Sequence, residues 1–167
     1  PDGRVKPLVT VAELIGSAEE QLSDAEKARR ERTRTATRGV VDIGVSDDGA
    51  TVMVPLGGVF LLVTPSSGNR TVLNPRAPPY DLQLSPDGRT IAIRSNRRNP
   101  AYFDIYRRDL VTGESRPLLE QNGINSAGRF SPDGRQLLVT RSYGPDHNQL
   151  FVVDVATGEV SALTAES

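Results

Sequence analysis

The chain contains no cysteine, no tryptophan and a single histidine, His147, among its 167 residues. Without cysteine there can be no disulfide, no thiolate metal site and no cysteine nucleophile. One histidine cannot form a multi-histidine metal centre, so we expect neither a metal site nor a cofactor. No apolar stretch reaches the roughly 18 residues of a membrane span, and we find no secretory signal pattern near the first residues.

The chain also lacks a large excess of charge of either sign, because 20 Lys and Arg residues balance 21 Asp and Glu residues. Without a basic excess, nucleic acid is not an expected partner. A local run of arginines at residues 29–34 is interrupted by the acidic Glu31 and has no aromatic side chain for base stacking. We interpret this run as a solvated helix end, with an acidic partner surface and nucleic acid as the alternatives.

Residues 1–38 are predicted to form a helical, charged segment. Apolar residues recur at helical spacing over residues 11–22. Ser23 and Glu26 then match a capping box, in which each side chain bonds the first turn of a helix. Acidic residues come early and arginines late in residues 24–34, the order that complements the helix dipole.

A Ser-x-Asp-Gly turn recurs three times after residue 39, beginning at Ser46, Ser85 and Ser131. Alternating apolar residues flank each copy, which is typical of strands. Proline and aspartate favour this tight turn, and glycine supplies its positive φ. Each copy therefore predicts an antiparallel hairpin.

A second hairpin follows each of these turns, with loops at residues 65–69, 111–114 and 156–159. Two hairpins give four antiparallel strands every 40 to 46 residues or so, which is typical of a β-propeller blade. We therefore predict an all-β partial β-propeller over residues 39–167. Its three four-stranded blades are expected at about 39–74, 80–120 and 125–164.

Three blades form an arc, because closed propellers need about 4 to 8 blades. We expect the chain to be part of a larger protein, with marginal stability on its own. Unpaired blade edges favour association between copies, so self-association through open blade edges is a further expectation.

Catalytic residues are not predicted in this chain. No Gly-x-Ser-x-Gly nucleophile elbow occurs, because the Ser142-Tyr143-Gly144 stretch follows Arg141 and precedes Pro145, which breaks any such match. His147 is expected to be an exposed residue in a loop at 143–148. The turn aspartates lack the clustered acids of a calcium loop, and the adjacent Glu19 and Glu20 are interpreted as surface residues.

Arg97 and Arg98 are the candidate substrate-binding residues. They fall between the second and third predicted strands of the second blade, and Tyr102 and Phe103 follow them. Paired arginines on a loop can clamp a carboxylate. The alternative interpretation is a solvated hairpin without a ligand.

Several of these segments carry a family resemblance. The N-terminal propeller region of bacterial dipeptidyl peptidase IV enzymes is similar to three of them: residues 22–34, the Arg-Gly-Val at 38–40 and residues 54–58. Residues 80–164 resemble the propellers of prolyl oligopeptidase-type serine peptidases, through the motifs at 95–99, 103–106 and 129–135. TolB-type periplasmic propellers share the Ser-Pro-Asp-Gly turn.

The resemblance implies that the propeller caps a C-terminal α/β-hydrolase domain with a Ser-Asp-His triad and restricts access to it. It also implies a propeller arginine that contacts a substrate carbonyl, for which Arg97 or Arg98 occupies a plausible hairpin. The hydrolase domain and the Asp-Trp-x-Tyr-Glu-Glu amine-binding motif of the family are absent from this sequence. A periplasmic or secreted parent protein is a further implication.

Three hypotheses remain open. In the first hypothesis, the chain is a non-catalytic propeller fragment of a serine exopeptidase, and its partners are the hydrolase domain of the parent chain and a peptide substrate. Alternatively, it is a stand-alone TolB-type propeller module that binds a protein or peptide. A splice of two related propellers is the third hypothesis, because the two halves resemble different subfamilies.

Overall fold

The computed structural model describes residues 43–56, 59–73, 81–144 and 147–164. Within these ranges the chain forms twelve strands and no helix. The predicted helical segment at 1–38, with its capping box and arginine run, lies outside the described residues. The described part of the chain therefore holds no helix long and apolar enough to cross a membrane.

The strands form three separate four-stranded antiparallel sheets, each a meander of consecutive strands. Blade 1 consists of β1 (Gly44–Val45), β2 (Val52–Leu56), β3 (Val59–Thr64) and β4 (Asn69–Leu73). Blade 2 consists of β5 (Asp81–Leu84), β6 (Thr90–Ser95), β7 (Asp104–Asp109) and β8 (Ser115–Leu119). Blade 3 consists of β9 (Ile124–Phe130), β10 (Gln136–Gly144), β11 (His147–Asp154) and β12 (Val160–Ala162). The predicted all-β, three-bladed partial propeller is confirmed.

The Ser-x-Asp-Gly turns join the first two strands of each blade and have the same hydrogen bonds in all three copies. In blade 2 the Ser85 hydroxyl donates to Oδ1 of Asp87 at 2.5 Å and accepts from the Thr90 amide at 2.9 Å. The same bonds occur at Ser46 and at Ser131. Gly88 has φ +68, a left-handed conformation that favours glycine. The repeat is thus defined by local chemistry as well as by spacing.

The core of the described region lies between the blades. Blades 1 and 2 share an apolar cluster of buried side chains: Met53, Phe60, Leu73, Ile91, Ile93 and Tyr106. Blades 2 and 3 share a larger apolar cluster, which includes Ala92, Ile105, Leu119, Leu137, Val139, Phe151 and Val153. Successive side chains along a strand point to opposite faces of the sheet. Blade 2 therefore contributes one face to the cluster with blade 1 and the other face to the cluster with blade 3. Burial between blades explains why no single four-stranded sheet is sufficient.

Antiparallel order gives the blades two different ends. The Ser-x-Asp-Gly turns and the third-to-fourth strand turns lie at one end, which we call the turn end. The loop at 96–103 and the connection at 120–123 lie at the other, which we call the loop end. Backbone bonds join these two loop-end segments, because the Phe103 amide donates to the Gly123 carbonyl at 3.0 Å.

One predicted loop is shorter than expected. His147 was predicted within a loop at 143–148, but it begins β11 and lies opposite Gly144 in the ladder. The side chain of His147 is exposed, as predicted. The longer ladder arises because residues 140–144 and 147–150 continue the pairing of β10 and β11, and a pair of extended strands needs only a short connection.

Candidate functional site

The loop that carries both candidate arginines connects β6 to β7, between the second and third strands of blade 2, as the sequence predicts. Its backbone is held by local bonds: the Tyr102 amide donates to the Asn99 carbonyl at 3.0 Å, and the Ala101 amide donates to Oδ1 of Asn99 at 2.9 Å. These bonds form a defined turn, so the two guanidinium groups project from a fixed backbone.

Arg98 is bound to a buried acid within its own blade. Its Nε donates to Oδ2 of Asp104 at 2.7 Å, and its Nη2 donates to Oδ1 at 2.9 Å. Asp104 is fully buried, whereas the Arg98 side chain is 33% exposed. The hydrogen bond to Asp104 is the main cause that raises the pKa of Arg98 above its ordinary value. The Arg98–Asp104 ion pair therefore anchors the loop to β7.

Arg97 is exposed and stacks on an aromatic ring, with its Cζ 3.5 Å from the Tyr106 ring centroid. Among the described residues it forms no ion pair. The Tyr106 hydroxyl donates to Oε1 of Glu120 at 3.0 Å. Burial is the main cause that raises the pKa of Tyr106, so the phenol remains a proton donor at neutral pH. Arg97 therefore presents a charged group on a rigid aromatic support.

Three further polar residues lie at the loop end: Asn125 and Arg141 from blade 3, and Arg94 from β6. Asn125 is fully buried, and its Nδ2 donates to the carbonyls of Phe103 at 2.7 Å and Gln121 at 3.0 Å. Its Oδ1 accepts from Nε of Arg141 at 2.8 Å. Arg94 crosses between blades, because its Nη1 donates to Oγ of Ser126 at 2.9 Å.

The sequence reasoning did not identify Arg94, Asn125 or Arg141 as members of this end. A signal for one of them was present, because Arg141 continues the buried alternation of Leu137 and Val139 along β10. An arginine in register with core positions is unusual.

Chemically, this end can hold anionic or carbonyl groups. Four arginines (Arg94, Arg97, Arg98 and Arg141) lie at the loop end, together with the acids Asp104 and Glu120. Guanidinium groups suit carboxylate and carbonyl oxygens because they offer several donors in one plane. Within the described residues no cluster of three or more His, Asp or Glu side chains could hold a metal ion.

Curated proteins match the sequence, among them a dipeptidyl peptidase and TolB. The chain is 26% identical to the probable dipeptidyl-peptidase 5 of Aspergillus niger over 147 residues, covering 77% of this chain and 20% of that protein. It is 30% identical to the Tol-Pal system protein TolB of Francisella tularensis over 92 residues, covering 54% of this chain and 20% of TolB. The chain thus spans about a fifth of the length of these relatives. No protein-family model matches the chain.

Solved structures match the fold. TolB from Acinetobacter baumannii has a TM-score of 0.58 and 22% identity, over 77% of this chain and 33% of that structure. A structure from a study of two prolyl endopeptidases has a TM-score of 0.61 and 16% identity, over 77% of this chain and 22% of that structure. At these identities the matches show the fold alone. The predicted resemblance is confirmed: the chain has homologues that include a dipeptidyl peptidase and TolB, and its fold is a TolB-type β-propeller.

Proposed function

We propose that this chain is a non-catalytic propeller portion of a serine exopeptidase of the dipeptidyl peptidase type. In this proposal its loop end gates and positions a peptide substrate for an α/β-hydrolase domain of the parent chain. The observation that carries the proposal is Arg97, an exposed guanidinium stacked on Tyr106 beside an anchored loop.

The two arginines have different roles in this proposal. The bond to Asp104 uses Nε and Nη2 of Arg98, so the principal task of Arg98 is to fix the loop. Arg97 contacts Tyr106 but has no carboxylate partner among the described residues, so in this proposal its exposed guanidinium binds a carbonyl or carboxylate oxygen of the peptide. A charge-assisted hydrogen bond of this kind contributes about 1.5–3 kcal/mol. Both residues therefore belong to the proposed substrate-binding loop.

The parent protein supplies the reaction chemistry in this proposal. The sequence has no nucleophile elbow, and its single histidine lies on an exposed strand end. The dipeptidyl-peptidase match covers 77% of this chain but 20% of that relative, which leaves room there for a hydrolase domain. We expect the isolated chain to release no product from a proline-containing dipeptide chromogenic substrate.

The coding sequence that surrounds this chain tests the proposal. We expect a downstream α/β-hydrolase domain with a Gly-x-Ser-x-Gly elbow in the same reading frame. A reading frame that holds further propeller blades and no hydrolase domain would contradict the proposal. Turnover of the dipeptide substrate by the purified chain, retained after removal of contaminating peptidases, would also contradict it.

The second candidate function is a stand-alone TolB-type module that binds a protein or peptide. The observation in its favour is the 30% identity to TolB over 92 residues, a higher identity than that to the dipeptidyl peptidase but over a shorter stretch. Under this alternative the loop end binds its partner without any hydrolase domain. The reading frame separates the two candidates, because only the first requires a catalytic domain in the same protein.

A further inference from the structure

Arg141 is a buried cation with no carboxylate partner in the part of the chain that the structure describes. Its side chain lies on β10 between blades 2 and 3, and the residue is only 6% exposed. Its Nε donates to Oδ1 of Asn125 at 2.8 Å and its Nη1 donates to the Tyr143 hydroxyl at 3.1 Å. Its Nη2 is buried and has no acceptor in the described ranges.

The described hydrogen-bond partners and ring contacts of this guanidinium are neutral. The ring centroid of Phe151 lies 4.5 Å from Cζ of Arg141, and that of Tyr143 lies 5.9 Å away. Gln149, opposite Arg141 in the β10–β11 ladder, is also buried. Cation–π contacts and two neutral acceptors compensate part of the desolvation of the charge. A buried charge normally has an ionic partner as well, and none is present among the described residues.

We propose that Arg141 is the centre of a carboxylate-binding site between blades 2 and 3. A carboxylate is the ligand class that fits, because a planar anion can accept from two guanidinium nitrogens at once. The free Nη2 supplies one donor, and Nη1 supplies the second when it exchanges the Tyr143 hydroxyl for the ligand. Tyr143 is 55% exposed, so this exchange takes place at the surface side of the cluster.

The position of the site suggests the source of the carboxylate. Asn125 binds Arg141 through Oδ1 and the Phe103 carbonyl through Nδ2, so the site adjoins the loop that carries Arg97. In this respect the inference rests on the proposed function: the ligand is the free carboxylate of a short peptide whose backbone meets Arg97. The carboxylate site itself is independent of that source, and the experiment separates the two.

The first arm of the test uses acetate as the probe. Acetate is titrated into the 15N-labelled chain while the assigned Nε–Hε signal of Arg141 is followed by NMR. We expect a saturable shift of that signal. In Gln149→Glu, which places a carboxylate opposite Arg141, we expect a higher Tm and no acetate response. Gln121→Glu is the matched control, because it adds the same charge on an exposed side chain of the loop end and should keep the response.

A wild-type chain whose Arg141 signal does not respond to acetate would overturn the site. An equal response in Gln149→Glu would overturn it too, because the added carboxylate should already occupy the guanidinium.

The second arm compares the tripeptide Ala-Pro-Ala with its C-terminal amide by calorimetry. We expect the free acid to bind about tenfold more tightly, and we expect Gln149→Glu to abolish this preference. If acetate shifts Arg141 but neither peptide binds, the carboxylate site stands and the proposed peptide-binding function is contradicted. If both peptides bind equally and acetate leaves Arg141 unshifted, peptide binding stands and the carboxylate site is contradicted.

Discussion

Gly88 and Thr51 approach so closely that a Cβ built on residue 88 would lie 2.8 Å from Oγ1 of Thr51. The two residues belong to different blades, and the same Cβ would lie 3.1 Å from Cβ of Ser46. The turns of blades 1 and 2 also share a backbone bond, from the Asp47 amide to the Pro86 carbonyl at 2.8 Å. The repeated turn is therefore a contact between blades as well as the connection within a hairpin.

Gly88→Ala should destabilise the fold more than Gly49→Ala. Both glycines have a left-handed backbone, with φ +68 and +66, and this conformation costs an alanine about 1–2 kcal/mol. Only Gly88 lacks space, because nothing lies within 4 Å of a Cβ at Gly49. Overpacking adds about 1–3 kcal/mol at residue 88. Urea denaturation of both variants measures the difference, and equal free energies of unfolding would contradict the inter-blade contact.

Ser85→Ala should cost more stability than Ser131→Ala. The two hydroxyls make the same bonds to the following aspartate and to the first amide of the next strand. Ser85 is 2% exposed, so loss of its hydroxyl leaves the part-buried Thr90 amide without its side-chain acceptor, at a cost of about 1–3 kcal/mol. Water can replace the more accessible Ser131 hydroxyl. Thermal unfolding compares the two variants, and a larger effect at Ser131 would argue against burial as the cause.

Stability should fall on acidification below the ordinary aspartate pKa of 3.8. Hydrogen bonds from Ser46 and Ser131 lower the pKa of Asp48 and of Asp133, and the Thr157 amide lowers that of Asp154. A group whose folded pKa is depressed adds stability above its unfolded pKa and loses it as pH falls through the folded pKa.

The urea midpoint should therefore be flat above about pH 5 and decrease towards about pH 3. The double variant Asp133→Asn and Asp154→Asn should show a shallower decrease, because two of the titrating groups are gone. An unchanged slope in that variant would mean that other carboxylates control the acid response.

Self-association should depend on the face of blade 3 that points away from blade 2. Leu150 is 36% exposed and Ile124 is 45% exposed on that side of the described chain. Apolar side chains beside an open blade favour pairing between copies. Sedimentation velocity should show concentration-dependent association that Leu150→Lys weakens. A monomer at every concentration would contradict this prediction.

The turns could be predicted from the sequence because their chemistry is local. Serine, aspartate and glycine within four residues determine the hydrogen bonds at Ser46, Ser85 and Ser131, so the hairpins and the blade count followed. Similar local hydrogen bonds also occur in the turns between the third and fourth strands of blades 2 and 3, which the sequence did not indicate. Asp109 and Asp154 each accept two backbone amides there, and neither was identified.

The candidate site was only partly predictable, because its contacts depend on how strands and blades meet. The loop of Arg97 and Arg98 was placed correctly, but the partner of Arg98 is Asp104, across a turn whose shape the sequence does not specify. Alternation along β10 implies that Arg141 is buried. The packing of blade 2 against blade 3, which the sequence does not encode locally, brings Asn125 beside the Phe103 carbonyl.

The steady-state kinetics of Arg97→Ala in the parent protein test the central claim most directly. Arg89→Ala is the matched control, because it removes an exposed arginine from the turn end of the same blade. The account predicts that Arg97→Ala raises KM for a peptide substrate about tenfold with little change in kcat, since a binding contact is lost. Arg89→Ala should leave both constants unchanged. An unchanged KM in Arg97→Ala, or an equal rise in Arg89→Ala, would contradict the assignment of the loop end to substrate positioning.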